Sequence, residues 1–142
     1  MHITEVTDAT AETWREIHNL IIPASPLSSA EVAERRQKNL LTLALVDGRV
    51  VGNATLRSPT DNSDTRTVIV RILPEFRNRG LGAAYLEQML ERARELGAQQ
   101  IETVVLVANA DGLRFALKHG FSEIERYEVD GAEYADLRLF PE

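Results

Sequence analysis

The sequence predicts an α/β (α+β) fold, a mixed sheet of about six to seven strands with about four helices on its two faces. Three observations carry that expectation. Short β-branched and apolar runs alternate with longer segments whose apolar residues recur at helical spacing. Two pairs of strand-like runs are joined by Asp-Gly, a dipeptide that readily takes the positive backbone angles of a two-residue hairpin turn. A long helical pattern separates the run starting at Thr65 from the one starting at Ile101, a connection that favours parallel pairing in mid-sheet through a right-handed crossover.

Taken in order, Ile3 to Thr7 form a first strand, and Ala11 to Ile22 a helix with Trp14, Ile17, His18 and Ile21 at helical spacing before Pro23 and Pro26 break it. Ser28 or Ser29 caps a second helix, mostly polar from Val32 through Asn39, that suits a partly exposed cover. Leu40 to Val46 and Arg49 to Leu56 make a hairpin across Asp47-Gly48. The polar stretch Ser58 to Asp64 reads as a loop. Thr65 to Leu73, with Val68, Ile69, Val70 and Ile72, is β-branched enough for a central strand that Pro74 ends. Between Gly80 and Leu96 an apolar face of Leu86, Met89, Leu90, Ala93 and Leu96 opposes Glu87, Glu91, Arg92 and Arg94, and Gly97 stops the helix. Ile101 to Val107 is a further strand, and Asp111 to His119 a short helix closed by Gly120. Phe121 opens a last pair of strands turned at Asp130-Gly131, whose flanks Arg126 to Val129 and Glu133 to Phe140 alternate polar and apolar residues.

With 142 residues, 44% hydrophobic and 27% charged, the chain is expected to form a single domain over residues 1–142. A net charge of -6 without a basic stripe argues against nucleic acid and leans toward cationic small molecules. The absence of cysteine excludes disulfides, thiolate metal sites and a cysteine nucleophile. His2, His18 and His119 lie too far apart in sequence to suggest a metal site. The opening Met1 to Glu5 lacks a basic-then-apolar leader and no apolar run approaches about 18 residues, so a soluble cytoplasmic protein without membrane contact is expected.

The most informative segment is Pro74-Glu75-Phe76-Arg77-Asn78-Arg79-Gly80-Leu81-Gly82, set between a buried-looking strand and an amphipathic helix. Amides from Asn78 to Ala83 would open the first helical turn, where unbonded N–H groups and the positive end of the helix dipole favour phosphate. Arg77 and Arg79 either touch phosphate oxygens or neutralise the approach. A P-loop would need lysine where Ala83 stands, and a dinucleotide fingerprint a small residue where Tyr85 stands. In the plainer alternative the segment is a polar turn, and Gly82 only lets helices pack closely.

A second segment, Asn109 to Phe121, follows the next strand and ends in Gly120-Phe121. Together the two resemble the GNAT superfamily of acyl-CoA-dependent N-acyltransferases, in which Arg/Gln-x-x-Gly-x-Gly/Ala follows the fourth strand and Gly-Phe ends the fourth helix. The resemblance spans roughly Thr65 to Phe140; the first 64 residues fit the family's order of elements without a diagnostic motif. It implies a GNAT-like, centrally splayed sheet and acetyl-CoA as co-substrate, with no metal. Arg77, Asn78, Arg79, Gly80, Leu81, Gly82 and Ala83 would hold the pyrophosphate. The backbone of Val70, Arg71 and Ile72 would pair with the pantetheine arm, which Asn109 would also touch. Asn109 equally suits a helix cap.

The family's usual acid and base positions carry Ala116 and Val104 here, so the catalytic residues stay unassigned. Glu102, His119, Tyr85, Tyr127 and Tyr134 are candidates with plain structural alternatives. The expected function is acetyl transfer from acetyl-CoA to a primary amine of a small molecule or peptide. A non-catalytic acyl-CoA-binding module and a structural domain binding nothing are the alternatives. Edges of the last hairpin suit pairing between two copies, as in a homodimer.

Overall fold

The computed structural model describes residues 1–59 and 64–140, so the loop expected at Ser58 to Asp64 falls mostly outside the described residues. The chain forms β1 (His2–Glu5), α1 (Ala11–Ile21), α2 (Ser29–Lys38), β2 (Leu40–Val46), β3 (Arg49–Leu56) and β4 (Thr65–Ile72). A 3₁₀ turn at Pro74–Phe76 leads to α3 (Leu81–Glu95), β5 (Gln100–Leu106), α4 (Ala110–Lys118), β6 (Phe121–Val129) and β7 (Ala132–Leu139). The strands make one seven-stranded sheet in the order β1-β2-β3-β4-β5-β7-β6, within the strand number expected.

Local chemistry accounts for the boundaries. Ser28 caps α2 in a reciprocal box, its hydroxyl taking the Glu31 amide at 3.2 Å while the Glu31 carboxylate takes the Ser28 amide at 2.9 Å. Both Asp-Gly turns carry positive φ at each residue, 51° and 76° at Asp47-Gly48 and 51° and 83° at Asp130-Gly131. The β6 strand begins at Phe121, where the last pair of strands is expected to open. After the buried Phe121, Ser122 to Glu125 are exposed at a sheet edge and the register shifts between Glu123 and Glu125, so side-chain periodicity does not mark this stretch.

Helices cover both faces. On one, α1 and α2 bury Trp14, Ile17 and Val32 against Leu41 and Leu43, and the Trp14 indole N–H donates to the Ala54 carbonyl at 3.3 Å. On the other, α3 and α4 pack Tyr85, Leu86, Met89 and Ala116 over Val68 and Val105. At mid-sheet, β4 and β5 run parallel and, among the described residues, pair only over Thr65↔Gln100, Arg66↔Ile101 and Thr67↔Glu102. Beyond Thr67, β4 keeps β3 as its partner while β5 turns to β7, which opens the sheet as the expected splay.

Candidate functional site

Strand alternation decides what faces the opening. The Thr67 carbonyl and the Leu73 amide bond across to β3, so the odd-numbered residues of this stretch share that direction. The Arg71 carbonyl accordingly points at β3, within 2.2 Å of where a Cβ on Gly52 would stand. Backbone groups of Val70 and Ile72 are thereby left to face the gap. Of the three residues expected to pair with an extended ligand, Val70 and Ile72 have the required direction. Arg71 reaches the cleft by its side chain instead.

The opening is the mouth of a cleft of about 710 Å³ lined by Val70, Arg71, Ile72, Arg77, Asn78, Gly82 and Asn109 among others. Arg79, Gly80, Leu81 and Ala83 do not line it. At one end lies the start of α3, whose first turn has no side-chain cap. Asn78 and Gly80 are left-handed there, with φ of 63° and 76°, a backbone form that gathers successive amides into an anion-binding concavity. Nothing stands within 4 Å of a Cβ on Gly80, whereas a Cβ on Gly82 would meet Phe115 at 3.1 Å and Ile72 at 3.6 Å. Gly82 thus serves close packing of α3 against α4, and Gly80 supplies the turn. A phosphate-bearing group fits the uncapped end, since the donors are present and the space above Gly80 is open.

The two arginines of the turn diverge. Arg77 donates from Nε to the Ile72 carbonyl at 2.9 Å, closing one backbone acceptor in the gap, and its Nη1 lies 3.7 Å from Asp111. Arg79 turns outward and sits 5.7 Å from the centre of the Phe76 ring. Asn109 caps α4, its side-chain oxygen taking the Gly112 amide at 3.1 Å.

At the other end, on the face beneath α1 and α2, stand Arg71, Arg57, Tyr127 and Tyr134, with His18 and Arg35 above them. Burial, then the nearby Arg71 charge, lowers the His18 pKa to about 4, so its imidazole is neutral; Nδ1 meets Asn19 Oδ1 at 3.1 Å. Burial likewise lowers Arg71 to about 10. The Tyr127 hydroxyl donates to Asp136 Oδ1 at 2.7 Å, and burial followed by that carboxylate pushes its pKa up to about 12.

The sequence candidates for proton transfer separate cleanly. Glu102 is held by Arg138, with Nε at 3.0 Å and Nη2 at 2.7 Å from the same oxygen. His119 is the C-cap of α4 with its ring centre 4.4 Å from that of Phe115, and Tyr85 is in the core with its hydroxyl 2.5 Å from Thr42 Oγ1. Tyr127 and Tyr134 stack, centroids 6.1 Å apart, and both line the cleft. Sequence reasoning did not single out Asp136. It lies directly across the β5–β7 ladder from Val104 and on the same face, so a carboxylate stands one strand away from the vacant base position. Among the described residues no group of three or more His, Asp or Glu could hold a metal ion.

Residues 4–121 match the family model described as Acetyltransferase (GNAT) family. No curated protein matches the sequence significantly. Among solved structures, a ribosomal-protein-alanine N-acetyltransferase from Brucella melitensis is 18% identical, with 97% of this chain and 98% of that one covered and a TM-score of 0.76. The ribosomal-protein-S18-alanine N-acetyltransferase of Escherichia coli gives 19%, 97%, 92% and 0.78. The yncA protein of Salmonella typhimurium, solved with its cofactor acetyl-CoA, gives 19%, 98%, 92% and 0.75. At such identities the likeness is one of fold.

Proposed function

We propose, because this chain belongs to the acetyltransferase (GNAT) family and is an acyltransferase, that it moves the acetyl group of acetyl-CoA to a primary amine of a small molecule or peptide. The observation that carries the proposal is the gap between β4 and β5 leading to the uncapped start of α3. Backbone groups of Val70 and the Ile72 amide are available to an amide-bearing arm, as an added strand would use them. Amides from Asn78 to Ala83 offer the pyrophosphate its donors, with Arg77 and Arg79 supplying charge. Asn109, already a helix cap, lies where it can also meet the arm.

In the transfer the amine nitrogen attacks the thioester carbonyl, the new C–N bond forms, the C–S bond breaks, and sulfur departs as thiolate. Holding the two reactants side by side removes much of the entropic barrier. An ammonium acceptor must first lose a proton, and the Tyr127–Asp136 pair provides a route, Tyr127 taking that proton as it passes its own to Asp136. Tyr134, beside Tyr127 in the cleft, can give its proton to the thiolate and take in exchange the second proton that the nitrogen loses as the amide forms. The solved relatives from Brucella and Escherichia coli are named for ribosomal-protein alanine, an amine acceptor, at identities that do not transfer the substrate.

Calorimetric titration with acetyl-CoA, followed by thiol release over an amine panel, tests the proposal. Micromolar binding with amine-dependent release is expected; thioester loss no faster than in buffer with every amine would refute catalysis on that panel. The free edge of β6 leads us to propose a homodimer, checked by light scattering against the 15.9 kDa chain mass.

A further inference from the structure

The net charge of the chain is -6, yet the acceptor end of the cleft has the opposite sign. Three guanidiniums from distant segments meet there: Arg35 from α2, Arg57 just beyond β3, and Arg71 from β4. They are near enough that Arg35 and Arg57 both disfavour the charge on Arg71, and Arg35 that on Arg57. Among the described residues none of the three forms an ion pair. Arg71 Nη1 is shielded from solvent and has no hydrogen-bond partner. A buried guanidinium with an unmet donor beside two like charges is costly in the free protein. The cost falls when an anion arrives, because the planar fork matches a carboxylate or phosphonate with two parallel bonds.

Nearby carboxylates do not serve. The Asp136 charge bears on Arg57, but its Oδ1 takes the Tyr127 hydroxyl. Glu31 is engaged in the α2 capping box. The anion is not the cofactor pyrophosphate either. Ile72 touches the α3 side, 3.6 Å from a Cβ built on Gly82, and alternation turns Arg71 to the opposite face, under α1 and α2.

We propose that Arg35, Arg57 and Arg71 form an anion subsite for the acceptor, so that the substrate is a small amine bearing a carboxylate or phosphonate near its amino group, as in an α-amino acid. This rests on the acetyl-transfer proposal and narrows it. The carboxylate docks on the guanidiniums, and the amine is left toward Tyr127, Tyr134 and the thioester. An acidic protein then selects an acidic group locally while its overall charge still admits the ammonium.

The test uses the intact protein loaded with coenzyme A, titrated calorimetrically with α-amino acids, their α-carboxamides and aminomethylphosphonate. At least about tenfold tighter binding of a carboxylate or phosphonate over its neutral counterpart is expected, a difference of about 1.4 kcal/mol. That preference should fall to within about twofold in Arg71→Met, with Arg57→Met as a second variant should the first fold poorly. Acetyl-CoA affinity should not change in either, since only side chains on the far face are altered. Equal or tighter binding of the carboxamides, or no binding of any anionic amine, overturns the subsite. Turnover is read separately: anion-selective binding without thiol release refutes acetyl transfer to these amines and leaves the subsite standing, whereas transfer to carboxamides alone does the reverse.

Discussion

Acid should loosen this fold through one imidazole. His18 is 4% exposed, stacks on Trp14 with ring centres 5.7 Å apart, and faces the Arg71 charge. Burial and Arg71 hold its pKa near 4 in the folded protein, with Arg35 adding to the shift and Asn19 and Glu31 opposing it; the ordinary value is 6.5. The unfolded chain therefore takes up a proton between pH 6.5 and pH 4 that the folded chain refuses, and acid in that window favours unfolding. Stability from this group is complete above pH 6.5 and is lost as the pH falls toward 4. Across the window the loss is about 3 kcal/mol, and between pH 7 and pH 5 about 2 kcal/mol. With a urea slope of about 2 kcal/mol per molar, the midpoint should drop by about 1 M between those two pH values. Capped carboxylates such as Glu31 sit below their ordinary value of 4.5, so they contribute only under more acidic conditions. His18→Gln should flatten the dependence between pH 7 and 5. Equal slopes for the variant and the natural protein would refute the neutral, desolvated imidazole.

Three further outcomes are expected. Gly52→Ala should cost about 1–3 kcal/mol in urea unfolding, because the new Cβ would stand 2.2 Å from the Arg71 carbonyl; an unchanged midpoint contradicts the close approach of β3 and β4. Gly80→Glu should weaken acetyl-CoA at least about tenfold by strain at φ 76° and by like charge in the anion turn, and an unaltered dissociation constant in a folded variant removes the site from this turn. Tyr127→Phe should lower kcat by about 10²-fold with acetyl-CoA affinity retained, and Asp136→Asn should act in the same direction; full activity in both excludes the proton route.

Much of the architecture is legible because local chemistry and tertiary packing agree. The strands Leu40–Val46 and Arg49–Leu56 keep their expected limits, since the Asp47-Gly48 turn sets the register and apolar residues crowd both sides of it. The turn before α3 is legible from its two glycines and its place after a β-branched strand. Hidden are features made by long-range pairing. Insertion of β7 between β5 and β6 sets Asp136 across from Val104, a relation no local window contains. Arg35 and Arg57 look in sequence like ordinary surface charges, Arg71 enters there only through its backbone, and only the folded sheet brings the three together. Glu102 reads as an available base until Arg138, from the last strand, claims it.

The narrow seam at mid-sheet has a mechanical consequence. Among the described residues, strands β1–β4 and β5–β7 are joined by only three register pairs, with α3 bridging over them. The molecule is a pair of plates hinged at one end and wedged open at the other. An extended ligand lying in the wedge would bond to β4 on one side while its bulk rests on β5, tying the plates where the protein leaves them apart. Opening of the hinge and release of such a ligand would then be one motion, and slow amide exchange at Val70 and Ile72 of β4 would report how long the wedge stays filled.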